Sequence, residues 1–498
     1  MVAANLIDQV RDIRPPEYVF YHPLIRAVAY EAQLKSHRAE LHRRVAAAIE
    51  SGDPTAAEEN AALIAEHLQS AGDLRGAYDW HMRAGAWLST RDVVAAWASW
   101  ERARQVADAL PADDADRTAM RIAADTLLCR HAFRVHVDIS STRFPELREL
   151  CAAAGDKWSL AIGMAGLGQE HMRHGRMREA SRLASETMAL VESIGDTTLT
   201  ITLSLAAIAT KTETGEVADT LRLSQTVIDL ADGDPTKGNI VFGSPLAMAL
   251  ATRGTALWAL GRAGWRDDYD RALAMARSAD PMSHAFVIRF TYGFAIPAGV
   301  LLADDAALHD IEEALEITER SSEDFALGLA RETLGAALVH RESPAERERG
   351  LAVLGQVRDM CLEGRLFLAD LPMVEVCLAR ETAQCGDRDG AISLMRAAVD
   401  DQFREGRLLG SAGVLVETLL DRGTDDDVAE AEAVIERWAA APADEGLVIR
   451  DIWLRRLRAL LACARGDEAA YRDYRDHYRA MATSLGFEGH KAWAEAMP

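Results

Sequence analysis

The sequence predicts an all-α protein, a solenoid of helical hairpins with a period of about 42 residues, and three observations carry that reading. Aromatic residues are 6% of a chain whose 49% hydrophobic fraction is dominated by Ala and Leu, which lose little on entering a helix. Short polar turns recur, each followed by a run with apolar residues at helical spacing. A length of 498 residues also exceeds one ordinary globular core, so it calls for several domains or one array.

Residues 1–50 form an opening block. "EYVFYH" reads as a short strand, Pro23 as the first residue of a helix, and "SHRAELHRRVAAAIE" as a second helix. Leu24, Val28, Ala32 and Leu34 are expected to make one apolar face, and Leu41, Val45, Ala48 and Ile49 to point inward. Arg26, Lys35, His37, Arg38, His42, Arg43 and Arg44 then lie partly or wholly outward. "SGDPTAAEEN" (51–60) leads into the first hairpins, 51–110, where Trp80, Trp87, Trp97 and Trp100 serve either a core or a docking surface.

"LPADDADRT" (110–118) opens the main array, 111–498. Its units begin at Gly175, Gly215, Gly261, Asp304, Ser343, Gly386, Gly423 and Gly466, at intervals of 40, 46, 43, 39, 43, 37 and 43. The unit at Ser343 shows the logic. Ser343 caps, Pro344 takes the first helical position, and Glu346 is placed to complete a capping box. Leu351, Leu354 and Val357 supply the buried stripe. "LFLADLPMVEVCLARETAQ" is the partner helix. Neither helix can bury its apolar face alone, so hairpins must stack.

Composition excludes several functions. The 78 acidic residues against 55 basic ones oppose a nucleic-acid partner, because a polyanion meets a repulsive field. "MVAANLIDQVRDIR" lacks the basic start and apolar run of a signal peptide, and "FAIPAGVLLA" falls short of the ~20 residues a membrane span needs. The expected location is cytoplasmic, with no membrane partner. Six Cys are scattered without a CxxC pair and are expected as buried, reduced thiols.

No motif completes an active site. There is no GxxxxGK[ST], and "GMAGLG" (163–168) has the wrong glycine order and sits within a helix, so it reads as helix packing. "FGSPL" and "GSAGV" do not complete GxSxG. "DGDPTKGN" places Gly243 where a calcium loop needs Glu, so it reads as a turn. His171 and His174 stand one helical turn apart, but no third metal ligand is evident near them. No cofactor is expected.

The array resembles tetratricopeptide repeats. In "AIGMAGLGQEHMRHGRMREASRLA" the Leu167-Gly168 pair, Gly175 and Ala180 fall at that family's helix-crossing spacing. Gly254 and Gly261 repeat the step, and Ala65, Gly72 and Ala77 match it upstream. The resemblance implies small residues that let paired helices approach closely. The period of about 42 against the family's 34 marks a lengthened, degenerate relative.

The string F-x-H-P-L-I-R-A-V-A-Y-E…R-A-E-L-H-R-R, from Phe20 to Arg44, resembles the segment closing the ATPase module of bacterial STAND-type signalling proteins. These carry class III adenylate cyclase domains or LuxR-type DNA-binding domains, and "SLGFEGHKAWAEAMP" is similar to the end of the cyclase-linked group. The resemblance implies a small winged-helix-like element in 1–50, followed by a repeat region. It also implies that His22, and less directly Arg26, contact nucleotide phosphates only when an ATPase domain is supplied elsewhere, because a triphosphate needs several donors and Mg²⁺. The phosphate loop, the metal-holding acid and the cyclase aspartates do not occur in this sequence. The expected function is therefore a non-catalytic, protein-binding scaffold, with an ATPase or cyclase domain in trans among its partners. The alternatives are a nucleotide-binding signalling regulator and a LuxR-type transcription-associated regulator.

Overall fold

From Pro23 onward the chain is a succession of helices joined by short turns. The computed structural model describes residues 6–11, 17–89, 91–138, 140, 143–239, 243–321, 323–406 and 410–497. Two compact units divide at His131/Ala132.

In the first unit, β1 (Ile7–Arg11) and β2 (Glu17–Phe20) form an antiparallel ribbon with Ile7 opposite Phe20. The expected strand is β2; β1 is an addition. Next come α1 (Pro23–Glu31), α2 (Lys35–Glu50) and the short α3 (Pro54–Glu59), which lies inside the predicted linker. The helices α4 (Ala61–Ser70), α5 (Leu74–Leu88), α6 (Val93–Ala109) and α7 (Arg117–His131) then pack each on the next. Ala65 and Ala77, the predicted crossing residues, are fully buried, and Gly72 turns between them at φ +81°. Trp80 and Trp100 are core residues, while Trp87 and Trp97 are half-buried. Trp100 lies so close to Gly85 that a β-carbon there would overlap its indole.

The second unit is the array. It runs α8 (Arg143–Ala154), α9 (Lys157–Arg173), α10 (Met177–Ile194), α11 (Thr197–Glu213) and α12 (Val217–Ala231). It continues through α13 (Pro245–Ala259), α14 (Trp265–Ala276) and α15 (Pro281–Ile288), which passes into a π-helical turn at Arg289–Gly293. Then follow α16 (Asp305–Glu319), α17 (Asp324–Leu338), α18 (Pro344–Leu362), α19 (Leu371–Gln384) and α20 (Arg388–Glu405). The last are α21 (Ser411–Arg422), α22 (Asp425–Ala440), α23 (Val448–Ala464), α24 (Glu468–Leu485) and α25 (Glu488–Ala496).

The helices alternate between two layers. Each odd-numbered helix from α9 to α21 touches the next odd one, whereas even-numbered helices pack on their chain neighbours. The odd helices are thus the inner layer, and α13 and α17 have no exposed residue. Every predicted unit start opens an even, outer helix. Six of the eight are glycines with φ between +64° and +111°, the left-handed conformation that ends one helix and lets the next reverse.

The array also closes on itself. Arg176 and Glu216, at the caps of α10 and α12, make no side-chain cap. Carboxylates from far along the chain do it instead: Glu405 accepts from the Met177 N–H at 2.9 Å, and Asp444 from the Ala218 N–H at 2.7 Å. Val300 O and Gly299 O accept from the N–H groups of Glu488 and His490, each at 2.9 Å. Segments of the second unit separated by more than 180 residues of sequence are therefore in direct contact.

Three local expectations are corrected. A β-carbon on Gly168 would meet nothing within 4 Å, so no close crossing occurs there; at Gly254 it would lie 2.6 Å from the Tyr269 ring, and the close approach is real. Ser343 Oγ caps α18, but Glu346 turns its carboxylate to Arg341 at 3.1 Å instead of back to the cap. The complete capping box is Thr424–Asp427. Of the cysteines, Cys129, Cys151 and Cys361 are buried, but Cys385 and Cys463 are exposed.

Candidate docking site

The opening block carries the most exposed apolar surface of the first unit, and its geometry follows from having too few elements to cover itself. Side chains of neighbouring strand residues point to opposite faces. Tyr18 and Val19 in β2 are 50% and 51% exposed, so both faces of β2 are open at this pair, while Ile7 and Phe20 at the other end of the ribbon are half-buried. A lone two-stranded ribbon is marginal in water. Among the described residues neither strand has a second neighbour, which leaves two open edges.

In α1, Leu24 and Val28 stand one turn apart on the same face, as predicted, and are 68% and 69% exposed. No residue of α1 is buried. The expected inward set of α2 is corrected likewise. Val45 and Ala48 are exposed, Leu41 and Ile49 are half-buried, and Ala46 is the buried position. The reason is that α2 has one main partner, α4, and the stripe facing it is centred on Ala46.

Between β2, α1, α2 and α4 lies an open groove of about 890 Å³, lined by Val19, Arg26, Tyr30, His42, Leu63 and His67 among others. The predicted residues fall on different parts of it. Arg26 is exposed on the groove wall. His22 sits at the N-cap of α1, where its Nδ1 accepts from the Leu24 N–H at 3.1 Å, and its ring is exposed. This cap fixes the ring at the strand–helix junction. His42 and His67, which sequence reasoning did not link, meet through their Nδ1 atoms at 2.8 Å, and the Tyr30 hydroxyl meets His42 Nε2 at 2.9 Å. Burial, then His67, then Arg38 lower the His42 pKa, so His42 favours its neutral form.

In the second unit, polar groups converge where no sequence motif announces them. Arg289, on the π-helical turn, reaches Glu213 at the end of α11, Asp370 before α19 at 2.6 Å each, and Glu332 in α17. All four are buried. Burial works against the Arg289 charge, but Asp370, Glu332 and Glu213 outweigh it and hold its pKa well above the ordinary value. Cys361 lies within this field; burial, then Asp370 and Glu332, push its thiol pKa up, which makes it a poor nucleophile. A cluster drawn from four segments leaves no local motif. Its one sequence signal is an Arg inside the otherwise apolar "HAFVIRFTYGFAI".

Among the described residues, no group of three or more His, Cys, Asp or Glu could hold a metal ion, and no helix is long and apolar enough to cross a membrane.

The layered odd and even helices define the chain as a tetratricopeptide-like helical-hairpin solenoid. No family profile matches it, and no curated protein matches it. Similar solved structures include a Rap protein complexed with competence and sporulation factor, at 10% identity and TM-score 0.40, covering 82% of this chain and 99% of that one. Human IFIT1, as a dimer with m7Gppp-AAAA, is 13% identical at TM-score 0.37, covering 90% and 95%. A STAND protein with a tetratricopeptide repeat sensor from Pyrococcus horikoshii is 14% identical at TM-score 0.36, covering 86% of this chain and 58% of that one.

Proposed function

We propose that this chain is a non-catalytic protein-interaction scaffold whose opening block docks onto a STAND-type ATPase module, in cis or in trans. The repeat array then forms the sensor region of a cyclase- or ATPase-linked signalling assembly. The carrying observation is the opening block: a strand open on both faces at Tyr18 and Val19, beside a helix whose apolar stripe faces solvent. Contiguous exposed apolar surface of this kind marks an interface. An ATPase module is the chosen partner because Phe20 to Arg44 resembles the segment that closes such modules. In that assembly the winged-helix-like ribbon gains its missing cover. His22, held at the strand–helix junction, and Arg26, which makes no ion pair among the described residues, then face the nucleotide phosphates.

The test mixes the purified chain with nucleotide-binding modules of STAND-type proteins and measures association by calorimetry, with and without ATP and Mg²⁺. The expected result is saturable binding that Leu24→Asp with Val28→Asp abolishes, while helical content and Tm stay unchanged because both positions are exposed. Arg26→Ala is expected to weaken only the ATP-dependent part. Binding to none of the modules, or binding indifferent to the paired Asp substitutions, overturns the reading.

A further inference from the structure

Strand β2 carries main-chain groups that stay unpaired among the described residues. In an antiparallel pair a residue turns its N–H and C=O to the same side, and successive residues alternate between the two sides. The Tyr21 N–H donates to Leu6 O at 3.1 Å, so Tyr21, and Val19 by the same alternation, are turned towards β1. Tyr18 and Phe20 have the opposite parity and turn their N–H and C=O to the other edge. None of these four groups makes a hydrogen bond among the described residues.

That edge borders the groove. Tyr18, Val19 and Phe20 all line it, whereas no described residue of β1 does. Consecutive strand residues point to alternate faces, so a space that touches all three runs along the strand's edge and not over one face. At about 890 Å³ the groove has room for a neighbouring strand, which lies about 4.8 Å from its partner. Val19, Tyr30 and Leu63 stand exposed on its walls and offer apolar contacts. Its acids are already paired, Glu31 with Arg38 at 2.9 Å and Glu66 with Arg102, and Tyr30, His42 and His67 bond one another. The unmet bonds along the groove are thus those of an extended backbone.

We propose that the groove receives an extended segment of the partner ATPase module as a third strand on the free edge of β2, bonded to the main chain of Tyr18 and Phe20. Alternate side chains of that segment are apolar and pack on Tyr30 and Leu63. Strand addition also closes an edge otherwise open to unspecific pairing. This inference rests on the docking reading above and adds a second, separable contact. Leu24 and Val28 share one face of α1, and Pro23, Arg26, Ala27 and Tyr30, which line the groove, share another.

The experiment is calorimetry of the full chain with the STAND-type modules, without nucleotide, for Tyr18→Pro and Tyr18→Val. Both lose the phenol, but only proline removes the N–H, and a strand edge tolerates proline where that N–H pairs with nothing. Tyr18→Pro is expected to bind about tenfold more weakly than Tyr18→Val, with the same Tm. In the unmodified chain, hydrogen exchange at the Tyr18 and Phe20 amides should slow when a module binds. Exchange at Val19 and Tyr21, already turned to β1, should not change. If Tyr18→Pro lowers Tm, the exchange result decides. Equal binding by two stable variants, or unchanged exchange at Tyr18 and Phe20 in a bound chain, overturns strand addition and leaves docking through Leu24 and Val28 standing. Slow exchange at both amides before any module is added also overturns it, because the chain itself or a second copy then covers the edge. Binding to none of the modules overturns both readings.

Discussion

Arg289 shows how one side chain commits a large part of the array. Its guanidinium neutralises three carboxylates that would otherwise share a buried space. Arg289→Met is therefore expected to destabilise the second unit by about 3–5 kcal/mol at neutral pH. Acidification should shrink that difference, because protonated carboxyls no longer repel one another. Urea unfolding of both proteins at pH 7 and pH 5 checks this; a deficit independent of pH would mean the lost contribution is packing alone. His81 teaches the opposite lesson. It is fully buried, neither ring nitrogen has a partner, and burial, then Arg102, lower its pKa to about 4 against the opposing pull of Glu66. Burial likewise holds His340 to about 4 and His490 to about 3. Unfolded His titrates near ~6.5, so on acidification the unfolded chain takes up protons first. The stability these groups contribute is complete above that value and is lost as pH falls towards 4. Urea midpoints should drop across this window. His81→Leu should raise the first unit's stability by about 1 kcal/mol and flatten its acid slope, because it removes two unmet polar groups.

At the scale of elements, two glycines that look alike in sequence part company. Gly254 lies under the Tyr269 ring and the Trp265 carbonyl, so Gly254→Ala must push α13 and α14 apart. Overpacking of this kind costs about 1–3 kcal/mol. Gly168 lies in α9 with open space beside it, so Gly168→Ala should stabilise by about 0.5–1 kcal/mol through helix propensity. Thermal melts of the two variants should shift in opposite directions. The repeat spacing identified both positions but could not separate them, since a spacing records where a crossing belongs and not whether a large neighbour fills it. The opening block was legible in the same partial way. The strand, both helices and the shared face of Leu24 and Val28 follow from the sequence. That this face meets solvent depends on which neighbours α1 has, and periodicity is silent about neighbours.

For the second unit as a whole, closure is the feature with consequences. Glu405 and Asp444 cap the outer helices α10 and α12 from more than 200 residues away, so each cap holds both a helix end and the join. Glu405→Ala with Asp444→Ala should cost about 1 kcal/mol per lost cap. Hydrogen exchange should quicken at the Met177 and Ala218 amides, with α16 and α17 unaffected. Unchanged protection there would show that the join does not need these carboxylates. Closure also separates what the sequence settled from what it could not. Turn glycines, caps and helical periodicity act within a few residues, so the amino-acid order alone determined the helices, their pairing and the roughly 42-residue repeat. Superhelical pitch accumulates from small rotations over many hairpins, and it decided which distant residues meet. The Arg289 cluster and the capping of one repeat by another exist only because the array returns upon itself, a consequence of packing that no local pattern encodes.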